Sequence, residues 1–457
     1  MFGFAQAGDA IYKQAFDPKD SSFDVQQAKG PATSHTGSFG IHGIDPEALP
    51  VNMTVLRTKS QLILLLLAAI FRLSAQIPSQ SVITHVTVVD VLSGKELKDQ
   101  SVVLDGQEIT SISASGTGAT TSGVVVDAHG GFLIPGLWDM HVHVHDTNEL
   151  PLYIANGVTG IRIMSGAKDE RAFRGELAQQ SISPELYLAS AIVDGPDPFW
   201  PGSIVIRKPE DARKEVDEIK AGGADFVKVY DRIPRKAYFA LADEAKKQSI
   251  PFEGHVPEEI TAQEASAAGQ RSMEHLEGIA FGCSNGQQGF MSELMRIRFF
   301  WEKFVVEAEA YRSLDPATCQ ALLNQFRHND TWQVPTLTVN RMWGRLEDDK
   351  MIHDPRLKYI DKATRERWNE RTAFQRQRWR VPEYSLAQAV FAADEKLVSH
   401  MYRSGVPMMA GTDAGNPFCL PGFSLHGENS LCWSNQDSRH WLHYKWLRSI
   451  RPGFLAG

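Results

Sequence analysis

From residue 132 onward the sequence alternates short runs rich in β-branched residues with helical stretches. This alternation constrains the fold more than any other feature. Strands are expected at Phe132–His143, Gly157–Met164, Leu186–Val193, Phe226–Tyr230, Phe252–Val256, Met273–Glu277, Val334–Thr338 and Pro407–Thr412. Helical patterns such as Pro209–Ala221, Arg235–Gln248 and Thr261–Ala268 fall between them. Eight such β/α units predict an α/β fold, a (β/α)8 TIM-like barrel of parallel strands. The stretch from His141 to Asp413 is 273 residues, close to the ~250 typical of such barrels. Ahead of it, Val82–Asp90, Ser101–Leu104 and Val124–Asp127 are β-branched and separated by Ser93-Gly94, Asp105-Gly106 and Gly130-Gly131. They read as short antiparallel strands joined by tight turns.

The 457 residues are 42% hydrophobic and 22% charged, an ordinary globular balance. Lys and Arg number 47 against 55 Asp and Glu, so the net charge is 47 − 55 = −8. That balance argues against a nucleic-acid binder working by phosphate neutralisation. The four cysteines (Cys283, Cys319, Cys419, Cys432) have no CxxC spacing, and neither a zinc ribbon nor a disulfide framework is expected. The longest apolar run, Leu62–Phe71, has ten residues, too few for a stable membrane span. It follows Arg57 and Lys59 and precedes Ser74-Ala75-Gln76, the order of a secretory signal peptide over 53–75 with Met53 as its natural start. A secreted or periplasmic protein is expected. Residues 1–52 then form a non-domain leader, and cleavage after Ala75 leaves 457 − 75 = 382 residues.

The chemistry lies at the ends of the expected strands. His141 and His143 are two apart in GLWDMHVH, so a strand presents both imidazoles to one side, as a metal needs. His145 continues that face beyond the strand and reads as a loop residue. Lys228 sits inside the apolar run FVKVY, where burial lowers an amine's pKa. A neutral amine can react with carbon dioxide to give a carbamate able to bridge two metal ions. The alternative is an interior lysine paired with a carboxylate. His255 and His275 end successive strands, 27 and 20 residues on from the preceding element. Asp413, in AGTDAG, ends the last strand, where it can bind a metal and accept a proton, or simply shape a turn. In a barrel the C-terminal strand ends converge, so these elements are expected to meet as metal ligands.

With those residues in place, the segments FLIPGLWDMHVH, GVTGIR, GADFVKVYDRIPR, FEGHVPEE, RSMEHLEG and GTDAGNPF resemble the amidohydrolase superfamily. The nearest likeness is to its imidazolonepropionase-like branch, which includes Xaa-Pro dipeptidase-type metal-dependent carboxypeptidases. The resemblance spans about residues 82–426 and implies a metal-centred barrel (132–426) with a small β-sandwich, of which 76–131 is the N-terminal part. It implies two divalent metal ions, usually zinc, with His141 and His143 on one, His255 and His275 on the other, and carboxylated Lys228 between them. Asp413 would bind the first metal and shuttle a proton while a metal-bridging hydroxide attacks an amide or peptide C–N bond. The substrate would be a small molecule or short peptide, with Tyr230 and, more weakly, Arg232 contacting its carboxylate. The loop 194–202 could shape the pocket. A homo-oligomer is left open.

Residues 427–457 do not continue the pattern. The final helix, the "NPA" segment and the last sandwich strand expected from the resemblance do not follow Ser424-Leu425-His426. Two alternatives stand beside the main reading. One is a mononuclear deaminase or cyclic-amide hydrolase, which would use the H-x-x-E spacing of His255 and Glu258. The other is an inactive truncated pseudoenzyme.

Overall fold

The computed structural model describes residues 80–433, apart from 92, 118–122, 167–169, 181 and 298–299. The expected leader and signal peptide lie outside the described residues, as does most of the expected tail. The described chain divides into two units between Ile134 and Pro135.

The first unit is a sheet of β1 (Gln80–Asp90), β2 (Lys95–Asp105), β3 (Glu108–Ala114), β4 (Val124–Asp127) and β5 (Phe132–Leu133), in the order β3-β2-β1-β4 with β5 also on β1. Gly94 and Gly106, at φ 70° and 60°, allow the tight returns between β1, β2 and β3, which are antiparallel as expected. β4 and β5 instead pair parallel to β1, so the all-antiparallel expectation is corrected. They enter along the edge of β1 that β2 leaves open, and run in its direction. Val82, Val86 and Val102 are buried, whereas Val124, Val125, Val126 and Phe132 are half or more exposed.

The second unit holds two parallel sheets. One is β6 (Leu137–Val142), β7 (Val158–Ile163) and β8 (Glu185–Leu188). The other runs β10-β9-β11-β12-β13-β14, with β9 (Val193–Asp194), β10 (Ile204–Val205), β11 (Val227–Val229), β12 (Phe252–Gly254), β13 (Ser272–Glu274) and β14 (Trp332–Val334). Single parallel bridges link Ala189 to Phe226, Gln333 to Met408 and Val142 to Ala414. The expected third strand is split into β8 and β9. The seventh stops at Val334, because Pro335 has no N–H to extend the ladder, and the chain turns into a helix at Leu337. The eighth, Pro407–Thr412, forms no regular strand. Its backbone still bonds both neighbours, Met409 N–H to Gln333 O (2.9 Å) and Met140 N–H to Ala410 O (2.9 Å).

Helices α1 (Pro209–Gly222), α2 (Arg235–Gln248) and α3 (Ala262–Ala268) lie where the 3.6-residue pattern places them. Pro209 opens α1 and Gly223, at φ 94°, closes it. Thr261 and Glu264 form a capping box on α3. Ala237, Leu241, Ala265, Phe252 and Val229 bring these helices and the strands into one apolar core. Further helices follow, among them α4 (Phe300–Arg312), α5 (Leu337–Trp343), α6 (Lys362–Arg378) and α7 (Val381–Arg403). The last described helix, α8 (Phe423–Trp433), continues through the expected barrel boundary at 426. Its Glu428 is fully buried and accepts hydrogen bonds from Leu337 N (2.8 Å), Thr338 N (2.7 Å) and Thr338 Oγ1 (2.7 Å), capping α5. The first residues past 426 therefore take part in the fold.

One disulfide joins Cys283 to Cys319, contrary to the expectation from spacing. The two cysteines are 36 residues apart and meet only because Asp315 N–H bonds Cys283 O (2.9 Å) ahead of the helix Pro316–His328. Local spacing cannot register such a pair.

Candidate metal centre

β6 delivers His141, and His143 follows just past its end. The two rings lie edge to face with centroids 5.4 Å apart, on one side of the strand as period-two alternation requires. Lys228 is the central residue of β11. His255 and His275 follow β12 and β13. Asp413 reaches the same place because its N–H bonds His141 O (2.8 Å). His275 and Asp413 adopt φ of 59° and 58°, left-handed conformations uncommon for either residue.

All six expected ligands come together. The rings form a continuous series, with His141 to His275 at 4.5 Å and His275 to His255 at 4.8 Å between centroids. Asp413 Oδ1 lies 3.0 Å from His143 Nε2 and 3.5 Å from His141 Nε2. The grouping differs from the expected one. His141, His275 and Asp413 present ligand atoms within 4.8 Å of one another, and Asp231, His255 and Glu277 make a second such group.

Three atoms test whether a metal fits. His141 Nε2, Lys228 Nζ and Asp413 Oδ1 are all buried and have no hydrogen-bond partner. One buried polar atom left unpaired costs ~1–3 kcal/mol, and three in one place call for a shared partner. The other ring nitrogens are already occupied. His141 Nδ1 pairs with Glu274 Oε2 (2.8 Å), His255 Nδ1 with Asp231 Oδ1 (2.6 Å), and His275 Nδ1 with Thr336 Oγ1 (2.6 Å). Fixing Nδ1 leaves Nε2 for an ion, the usual arrangement around a metal-binding imidazole.

Protonation states agree with that role. Burial pushes His141 and His275 well below the usual histidine range, so both are neutral. Burial alone would raise the Asp413 carboxyl, but His141, His143 and His275 outweigh it and hold Asp413 well below the carboxylate range. Burial lowers Lys228 to about 8 against the pull of Glu274 and Asp413. A metal requires deprotonated ligands, which His141, His275 and Asp413 supply, whereas for His255 the effect of burial is outweighed by Glu277 and Asp231, which raise it. Lys228 Nζ makes no hydrogen bond, although Glu274 and Asp413 act on it electrostatically.

The residues behind this layer carried no assigned role in the sequence reading. Arg162, fully buried on β7, donates to Glu274 (2.9 Å to each oxygen), Glu253 (2.6 Å) and Ser272 Oγ (2.8 Å). Asp139 accepts from Thr412 Oγ1 (2.6 Å) and Thr412 N (3.0 Å), tying β6 to the segment that carries Asp413. The signal was present: charged residues at alternate positions inside apolar strands, as in Ser272-Met273-Glu274, are too costly to bury unless paired.

His143, Lys228, His255, His275 and Asp413 border a cavity of about 370 Å3. Tyr230 borders it too, stacked on His255 at 4.0 Å and accepting a hydrogen bond from Trp200 Nε1 (2.8 Å). Trp200, Pro201 and Gly202 of the 194–202 loop also line it. His145 stacks on His143 at 6.4 Å and is lowered to about 4 by burial. Arg232 is turned away. Its guanidinium donates to Asp197 O (2.6 Å) and Asp197 Oδ2 (3.2 Å).

No protein-family model matches the chain, and no curated protein matches it. Solved structures do. The chain is similar to bottromycin amidohydrolase, with TM-score 0.63 and 23% identity over 82% of this chain and 79% of that one. It is similar to a Xaa-Pro dipeptidase with bound methionine in its active site, with TM-score 0.55 and 16% identity over 81% and 88%. A third similarity is to A. niger ochratoxinase, with TM-score 0.53 and 13% identity over 80% and 82%. At these identities the likeness shows the fold, a mixed α/β fold with parallel sheets that the chain shares with these proteins.

Proposed function

We propose that the chain is a metal-dependent hydrolase of amide or peptide C–N bonds, of the dipeptidase or carboxypeptidase kind. The observation that carries this is the convergence of three buried atoms that make no hydrogen bond, His141 Nε2, Lys228 Nζ and Asp413 Oδ1, the last two on residues that border the cavity. The amidohydrolase and dipeptidase among the similar structures support the same bond class. The closed eight-stranded barrel belongs to this reading. The Ala189–Phe226, Gln333–Met408 and Val142–Ala414 bridges support it by joining neighbouring sheet edges.

His141, His143 and Asp413 would hold one divalent ion, His255 and His275 a second, and Lys228, as a carbamate, would lie between them. Zinc suits the imidazole-rich set. Such ions, when bound, acidify water and polarise a carbonyl. The chain's own groups do the rest. Asp413, held anionic by the histidines around it, accepts the proton of the attacking water and returns it to the departing nitrogen. Glu274, Asp231 and Thr336 keep three imidazoles oriented. Tyr230 faces the substrate and is fixed by Trp200. The mononuclear reading keeps one observation in its favour, the compactness of the His141–His275–Asp413 group. The Cys283–Cys319 disulfide supports an oxidising compartment and hence secretion.

The test is a library of dipeptides and N-acyl amino acids, assayed with and without a chelator. Hydrolysis abolished by chelation and restored by zinc is expected. Hydrolysis insensitive to chelation, or none with metal bound, would overturn the proposal.

A further inference from the structure

Opposite the histidines, the cavity is walled by three helices whose facing residues have no part in the reaction above. α4 contributes Lys303, Phe304, Glu307 and Tyr311, α5 contributes Asn340 and Trp343, and α7 contributes Val390, Phe391 and Asp394. The spacing on α4 and α7 is that of one helical face. This wall is apolar in its body and charged at chosen points. Phe304, Trp343 and Val390 are buried, and against them stand three carboxyls, Glu277, Glu307 and Asp394, with one ammonium, Lys303.

Lys303 Nζ is shared by two of the acids, 3.5 Å from Glu307 and 3.9 Å from Glu277. Asp394 is 6% exposed and takes its hydrogen bonds from neutral donors, the Tyr311 hydroxyl and Asn340 Nδ2 (3.3 Å). Glu277 Oε2 is buried without a hydrogen-bond partner. It lies 2.9 Å from His255 Nδ1, which also meets Asp231 Oδ1 at 2.6 Å. Lys303 serves Glu307 and Glu277, and His255 also meets Glu277, whereas Asp394 is a buried acid hydrogen-bonded by neutral donors, and a buried carboxylate is tolerated only when paired.

We infer that this wall is the side-chain subsite of the cavity, and that it takes a substrate side chain with an aliphatic stem ending in a cation, a primary ammonium or a guanidinium. Phe304, Trp343 and Val390 enclose the methylenes, and Asp394 with Glu307 receives the charged head. The inference rests on the hydrolase reading for the cavity's use, and its test does not require turnover.

Calorimetric binding to the full chain is compared for N-acetyl-lysine, N-acetyl-norleucine and N-acetyl-glutamate. Lysine and norleucine differ in the terminal charge and little else. A charge-assisted hydrogen bond in a buried site predicts lysine binding about tenfold tighter or more. In Asp394→Asn, and separately in the less buried Glu307→Gln, the lysine-to-norleucine ratio falls toward about one. Norleucine binding as tightly as lysine, or glutamate binding best through Lys303, would overturn the subsite. A chain that hydrolyses no amide yet keeps the lysine preference loses only the hydrolase reading. One that hydrolyses amides with no preference for charge loses only the subsite.

Discussion

Arg162→Met removes the guanidinium that joins β7 to Glu253, Glu274 and Ser272, while the methionine fills much of the same space. Glu253 and Glu274 are fully buried, so both lose their cationic partner without gaining water. Breaking a buried pair from one side costs about 3–5 kcal/mol. Over the roughly 290 described residues from Pro135 onward, an unfolding entropy of ~2.1 cal/mol/K per residue gives about 1.6 °C per kcal/mol. The expected fall in melting temperature is therefore about 5–8 °C, read by calorimetry on metal-free protein. Zinc affinity falls as well, because Glu274 also holds His141 Nδ1, and loss of such a support typically costs 10–100-fold. The triple variant Arg162→Met, Glu253→Gln, Glu274→Gln separates the two effects. It regains melting temperature, since the stranded charges are gone, but not zinc affinity. A single variant melting within about 1 °C of the parent and binding zinc equally well would refute the reasoning.

Other outcomes follow from the same geometry. Glu428→Ala leaves two amides at the start of α5 and the Thr338 hydroxyl without their acceptor, which should cost about 1–3 kcal/mol in a denaturant melt. Burial, with Glu307 nearby, raises Asp394 to about 8. Between about pH 4 and pH 8 the folded protein then keeps a proton that the unfolded chain releases, so this residue makes stability fall as pH rises. Melting temperature of the metal-free protein should drop less from pH 5.5 to pH 8 in Asp394→Asn than in the parent. An identical drop in both contradicts the assignment. Reducing Cys283–Cys319, which closes a loop of 36 residues, should remove up to about 4 kcal/mol of stability, seen as a lower melting temperature in reductant.

The parts of the fold that were legible in the sequence are those set by local chemistry. Arg235–Gln248 was readable from its apolar spacing, and the α3 start from Thr261 and Glu264. The ligand residues were readable because histidine, lysine and aspartate stand at the ends of otherwise apolar runs. What stayed hidden depends on residues brought together from far apart. Arg162 meets Glu253 and Glu274 across 91 and 112 positions, and Glu428 reaches α5 across 91. The eighth strand was over-read because Pro407–Thr412 has strand composition, yet it only bridges its neighbours singly. The direction of β4 was missed for a similar reason: its four valine-rich residues carry no mark of parallel or antiparallel pairing. Arg232 follows Tyr230 at strand spacing, but the chain has left β11 by then and its side chain joins Asp197.

The most direct test of the account is metal content, measured by mass spectrometry on protein refolded with excess zinc and then desalted. Two divalent ions per chain are predicted, falling in His141→Ala and Asp413→Asn. No retained metal in the parent chain, with the fold intact by circular dichroism, would contradict it.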